Sequence, residues 1–135
     1  MAEIYNNLIN GEWLAGSATV ENRNPSDLSD VIGLYAQADD AQLNQAVAAA
    51  KAALPACRNM GIEARQTALN FIGNELMARA EELGRLLSRE EGKPLAEGKG
   101  EVFRAGQFFT YYAAEVLRQI GENADSVRPG IEIDV

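Results

Sequence analysis

The sequence predicts a mainly α chain, with three helices behind an N-terminal β-hairpin and the start of a strand at the end. Three observations carry that prediction. Apolar residues recur at helical spacing in three separate runs between residues 39 and 120. Asn10-Gly11 stands between Leu8-Ile9 and Trp13-Leu14, and Asn-Gly is a strong hairpin signal because both residues tolerate the positive φ of a type I′ turn. After Pro129-Gly130, Ile131, Ile133 and Val135 alternate with Glu132 and Asp134, the period of a strand.

In chain order, residues 1–36 read as β structure and loop. Asn24-Pro25-Ser26-Asp27 predicts a turn, and Val31-Ile32-Gly33-Leu34-Tyr35 a short strand. Asp39-Asp40 suits a helix start, where an acid caps free N–H groups and meets the positive end of the dipole. Leu43, Ala46, Val47, Ala50, Ala53 and Leu54 form its stripe, and Pro55 is expected to end it. A second helix is expected from Ile62 to Glu91, with Ala68, Leu69, Ile72, Leu76, Leu83, Leu86 and Leu87 inward. Arg65, Glu75, Arg79 and Glu82 are turned away from that stripe. Gly92 is placed as its C-cap and Pro94 as the opening of the third helix, which runs to Ile120 and closes at Gly121. Gly98, Gly100 and Gly106 lie inside that helix at ~1 kcal/mol each against alanine, so either it is locally weak or something packs against its backbone.

Composition bounds the function. The chain has 135 residues, 47% of them hydrophobic and 24% charged, which suits one folded domain. Twenty acids against twelve bases give a net charge of −8, which disfavours phosphate backbones and anionic lipid heads; neither nucleic acid nor a membrane is an expected partner. No apolar run reaches the ~18–20 residues that span a bilayer, the first residues lack a signal-peptide pattern, and the expected compartment is the cytoplasm. With no histidine and the single cysteine Cys57, no intrachain disulfide or His-based triad can form.

The motifs fall mostly to bland readings. The stretch from Glu91 to Gly100 fails as a phosphate loop, because Gly92 stands six residues before Gly98 and Lys99 is followed by Gly100, not Ser or Thr. It fails as a dinucleotide fingerprint because Phe103 occupies the third glycine's place. Cys57, just after the expected helix end and without a histidine partner, reads as structural. Phe103, Phe108, Phe109, Tyr111 and Tyr112 read as helix packing, with a ligand wall as the alternative, and Glu81-Glu82 and Glu90-Glu91 as solvated faces.

The order of the landmarks goes further. Leu8-Ile9-Asn10-Gly11-Glu12-Trp13, Asn24-Pro25, Ile32-Gly33, Ala46-Val47-Ala48-Ala49-Ala50, Glu91-Gly92-Lys93-Pro94, Glu101-Val102 and Tyr111-Tyr112-Ala113 together resemble the opening of the aldehyde dehydrogenase superfamily, from about residue 8 onward. Cys57 departs from the tryptophan that many members carry there. The resemblance implies that residues 1–135 are the amino-terminal part of the cofactor-binding domain of a longer α/β enzyme: 1–36 its hairpin and strands, 39–120 its helices, 131–135 the start of a strand. It implies oxidation of an aldehyde by NAD or NADP, through a cysteine thiolate and a glutamate that activates water. Those two residues and the cofactor-binding units correspond to positions after Val135, so no catalytic or cofactor-binding residue is expected here, and the 135 residues alone are expected to be inactive and to bind no cofactor.

Two sets of residues can be carried over. The resemblance places Gly100 and Arg104 on the helix face that lines the mouth of the aldehyde tunnel. Position 104 is commonly apolar in enzymes of simple aldehydes; a guanidinium there pairs with a carboxylate, implying an acidic semialdehyde such as that of 2-oxoglutarate or succinate. The wording of residues 104–112 and 124–130 looks most like the 2-oxoglutarate semialdehyde group; the alternative for Arg104 is a solvent-facing helix residue. Glu90, Asn22 and Arg23 match positions where some members hold a structural monovalent cation, through the acid and two backbone carbonyls. A dimer or tetramer is implied by the same analogy, and helices whose stripes belong against a later sheet are expected to self-associate without it. The competing reading is a stand-alone acidic helical interaction domain without catalysis.

Overall fold

The computed structural model describes residues 3–118 and 121–134. Five strands come first: β1 (Ile4–Tyr5), β2 (Asn7–Ile9), β3 (Glu12–Leu14), β4 (Ala18–Arg23) and β5 (Val31–Gln37). Four helices follow: α1 (Asp40–Asn59), α2 (Ile62–Ala78), α3 (Ala80–Glu91) and α4 (Leu95–Val116). A last pair, β6 (Asn123–Asp125) and β7 (Glu132–Asp134), closes the chain. The mainly α expectation holds, with four helices where three were expected.

Asn10 and Gly11 take positive φ, 52° and 82°, and turn β2 antiparallel onto β3 as the Asn-Gly signal predicts. The Asn24 side chain accepts the Ser26 N–H at 2.9 Å and the Asp27 N–H bonds the Asn24 carbonyl at 3.1 Å, so the predicted turn is in place. It joins β4 antiparallel to β5, and β5 pairs parallel with β1 in the order β1-β5-β4. Two-residue β1 has no periodicity to betray it; only the parallel ladder makes it a strand.

Three helix boundaries depart from expectation. Pro55 lies inside α1, which runs on to Asn59. A mid-helix proline removes one hydrogen bond and crowds the carbonyl four residues back. All residues from Lys51 to Met60 are exposed, so water can take up the freed Lys51 carbonyl and the helix tolerates the loss. The expected second helix is two, α2 and α3, parted at Arg79, whose φ of −100° and ψ of 15° leave the α region. The third, here α4, stops at Val116; Ile120 lies outside the described residues.

Interior glycines explain the break. A methyl group on Gly73 of α2 would lie 2.8 Å from the Gly106 carbonyl oxygen of α4, and one on Gly84 of α3 would lie 2.6 Å from the Lys99 Cα. The helices therefore touch backbone to backbone at two points, Gly73–Gly106 and Gly84–Gly98. Eleven residues, about 16 Å of helix, separate these points on one arm, but only eight, about 12 Å, on the other. The longer arm breaks between its two contact points, at Arg79. Periodicity cannot show this, because the apolar stripe runs through the break.

Little of the chain is covered. The buried apolar side chains among the described residues are Ile9, Ile32, Ala113 and Val116. The exposed area is 10096 Å², against about 6,900 Å² for a folded monomer of 14.6 kDa. No residue of α1 is buried, and Leu43, Val47 and Leu54 of its stripe stand open. Gln42 clamps α1 to the hairpin region, accepting from the Asn7 side chain at 2.7 Å and donating to the Ala15 carbonyl at 2.9 Å. No described helix is long and apolar enough to cross a membrane.

Candidate functional site

The two residue sets read from the sequence lie on different parts of the fold. Gly100 and Arg104 sit one turn apart on α4, and both are exposed. Each glycine in α4 can be weighed separately. Gly98 and Gly106 are buried at the helix contacts just described, so neighbouring backbone explains them. A methyl group on Gly100 would meet nothing within 4 Å. Gly100 therefore weakens the helix with no packing reason among the described residues, and leaves the surface beside Arg104 bare.

Arg104 lines an open hollow together with Gln107, Phe108, Tyr111 and Tyr112. Among the described residues its guanidinium has no ion pair and no side-chain hydrogen bond. The nearby cations differ: Lys99 is paired with Glu81 at 2.5 Å, and Lys93 with Glu101 at 2.7 Å and with Glu91. All five N–H donors of Arg104 are therefore without a protein partner among the described residues. Sequence reasoning missed Gln107 in this hollow, although its place three residues after Arg104 was the signal. The aromatic set is not packed as expected: Phe103, Phe108, Phe109, Tyr111 and Tyr112 are all exposed, and Tyr111 meets Tyr112 edge-on at 5.3 Å.

The second set gathers at the junction of sheet and helices. Arg23 pairs with Val31 and Asn22 with Gly33, so Ile32 is an extra residue and the ladder bulges there. Asn22 donates from Nδ2 to Glu90 Oε1 at 2.9 Å, and the Tyr35 hydroxyl donates to the same oxygen at 3.1 Å. Burial, and then the bond to Glu90, pushes the Tyr35 phenol above its usual pKa. Next to this cluster, Arg89 grips Asp30 with two hydrogen bonds, of 3.0 and 2.7 Å, which hold the Asp30 carboxyl below the usual carboxylate range. The Arg23 guanidinium turns away, to Glu21 and to the Leu28 carbonyl at 2.9 Å. Glu90 and Asn22 are therefore brought together and the Arg23 side chain is not. Tyr35 was missed as a partner of Glu90, being fifty-five residues distant in sequence.

Gly92 caps α3 in the left-handed region, φ 73°, as expected, and a methyl group there would sit 2.6 Å from Ser26 Oγ. The Gly-Lys-Pro turn is thereby held against the Asn-Pro turn, with the Ser26 hydroxyl donating to the Gly92 carbonyl at 2.9 Å. Cys57 is exposed and lies within α1, not beyond a helix end, because α1 continues through Pro55. Gly98, which a nucleotide loop would turn to phosphate, is instead taken up by contact with Gly84 and Ser88 of α3. Among the described residues no group of three or more Cys, Asp or Glu side chains is placed to hold a metal ion.

A mixed sheet thus leads into a helical hairpin, α3 and α4, joined at the Gly-Lys-Pro turn. The aldehyde dehydrogenase family model matches residues 13–133, and the chain belongs to that family. It is 35% identical over 123 residues to a glutarate-semialdehyde dehydrogenase of Pseudomonas putida, covering 90% of this chain and 25% of that protein. It is 34% identical over 120 residues to an alpha-ketoglutaric semialdehyde dehydrogenase of Bacillus subtilis, covering 87% of this chain and 25% of that one. An aldehyde dehydrogenase of Physcomitrella patens, solved in complex with the reaction product succinate, superimposes with a TM-score of 0.87 at 30% identity; the match covers 96% of this chain and 27% of that one. The chain spans about a quarter of the length of the curated relatives it matches. Family membership favours an enzyme over a stand-alone interaction domain.

Proposed function

We propose that this chain is the amino-terminal part of the cofactor-binding domain of an aldehyde dehydrogenase that oxidises an acidic semialdehyde to a dicarboxylic acid with NAD or NADP. The observation that carries the acidic substrate is the face of α4 where bare Gly100 precedes unpaired Arg104. A cation without an internal partner, beside backbone that no side chain covers, suits a small carboxylate that approaches from outside. The relatives support it by name: one acts on glutarate semialdehyde, one on alpha-ketoglutaric semialdehyde, and a neighbour holds succinate. The part proposed for Gly100 and Arg104 is to bind and orient the substrate's far end.

The test is Arg104→Ala in the complete enzyme. Transition-state stabilisation for the acidic aldehyde is expected to fall by about 2–4 kcal/mol, with little change for a neutral aldehyde. An equal loss on both overturns the reading.

The 135 residues by themselves are proposed to be inactive and to self-associate. The excess of exposed area and the uncovered stripe of α1 support this, since apolar faces of that extent are ordinarily covered. In the complete cytoplasmic enzyme, later residues cover them. A monodisperse monomer by light scattering, or turnover of an aldehyde by the chain alone, counts against it. Glu90, with the backbone carbonyls of Asn22 and Arg23, is proposed to hold a monovalent cation. One Glu90 oxygen is occupied by Asn22 and Tyr35, which leaves the other as a hard ligand; the three residues need further oxygens, such as water, to complete a shell.

A further inference from the structure

We infer that Gln107 is a specificity-determining residue that selects semialdehydes bearing a 2-oxo group next to the far carboxylate. This rests on the reading of Arg104 as the carboxylate's partner. Arg104 and Gln107 line one hollow, and at three residues apart on a helix their Cβ atoms lie about 5–6 Å from each other. The Gln107 side chain, like that of Arg104, has no hydrogen-bond partner among the described residues; only its backbone carbonyl is engaged, by the Thr110 hydroxyl at 2.9 Å.

The chemistry follows from where the oxygens of such a substrate lie. In a 2-oxo acid the keto oxygen is on the carbon next to the carboxylate. A donor for it must stand beside the group that grips the carboxylate, and a neutral one suffices, because a keto oxygen carries no charge to balance. A carboxamide meets both needs: its NH₂ donates to the keto oxygen, while Arg104 takes the carboxylate. An acid at position 107 would repel the carboxylate, and a leucine would leave the keto oxygen without a partner. The hollow joins the cation and the amide to the rings of Phe108 and Tyr111, which suit the carbon chain of the ligand, and one turn before Arg104 the backbone at Gly100 is bare.

Glutarate semialdehyde and 2-oxoglutarate semialdehyde have the same length and differ only in that oxygen, so they isolate the effect. In the complete enzyme, Gln107→Met keeps the shape and removes the donor. The ratio of kcat/KM for the oxo substrate to that for glutarate semialdehyde is expected to fall about tenfold, the scale of one neutral hydrogen bond. Competitive inhibition by 2-oxoglutarate should weaken relative to glutarate by a similar factor, and Gln107→Asn gives a second, smaller perturbation should the first variant fold poorly. An unchanged ratio, with Arg104→Ala still separating acidic from neutral aldehydes, overturns the role of Gln107 alone. If Arg104→Ala separates nothing, the underlying reading and this inference fall together.

Discussion

Gly73 and Gly106 face each other across α2 and α4 so closely that a methyl group on Gly106 would lie 2.7 Å from the Gly73 carbonyl oxygen. Helices that pack backbone to backbone cannot absorb added volume by rotating a side chain. Gly106→Ala is therefore expected to destabilise the chain by about 1–3 kcal/mol, as overpacking does. Gly100→Ala, in open space, is expected to stabilise it by about 1 kcal/mol. Paired thermal unfolding curves check both, and shifts of the same sign would refute the contrast.

The Asp30–Arg89 pair ties the loop before β5 to the end of α3. Its hydrogen bonds hold Asp30 below the usual carboxylate pKa in the folded chain. A lowered folded value means that the stabilisation is full above the ordinary carboxylate range and is lost as pH falls through the folded value. Asp30→Asn should therefore cost stability at neutral pH, with the gap from the parent chain closing as the solution is acidified. Denaturant midpoints measured across that window test the sign.

Tyr35 offers a spectroscopic readout of the Glu90 cluster. Burial first, and then the neighbouring carboxylate, raise its phenol above the ordinary value. Glu90→Gln should move the titration, followed by ultraviolet absorbance, back toward that value without restoring it fully, because burial remains. A titration that does not move would separate Tyr35 from Glu90.

The cation proposal is checked by anomalous scattering from thallium-soaked crystals of the complete enzyme. A peak beside Glu90 Oε2 is expected, and it should be lost in Glu90→Gln. Absence of density near Glu90 in the parent protein removes the site.

The turns and caps that frame the site were legible in the residues. Asn10-Gly11, Gly92 and the Asp39 cap act through local backbone geometry, which neighbouring residues specify. Arg104 was singled out through the family resemblance, not through the helical period. Pro55 does not end α1, because no described residue covers the Lys51 carbonyl that its missing N–H leaves free. Tyr35 and Glu90 were not legible as a pair, because they meet only when β5 and α3 are brought together.

By itself, then, the sequence determined the hairpin, the caps, the helical content and the chemical character of α4, since each follows from backbone preference or spacing within a few residues. Tertiary structure alone decided that α2 and α3 part at Arg79, that Gly98 and Gly106 serve packing while Gly100 stands free, and that Asn22, Tyr35 and Glu90 converge. Those outcomes depend on which backbones approach one another across the fold, and a one-dimensional period carries no record of that distance.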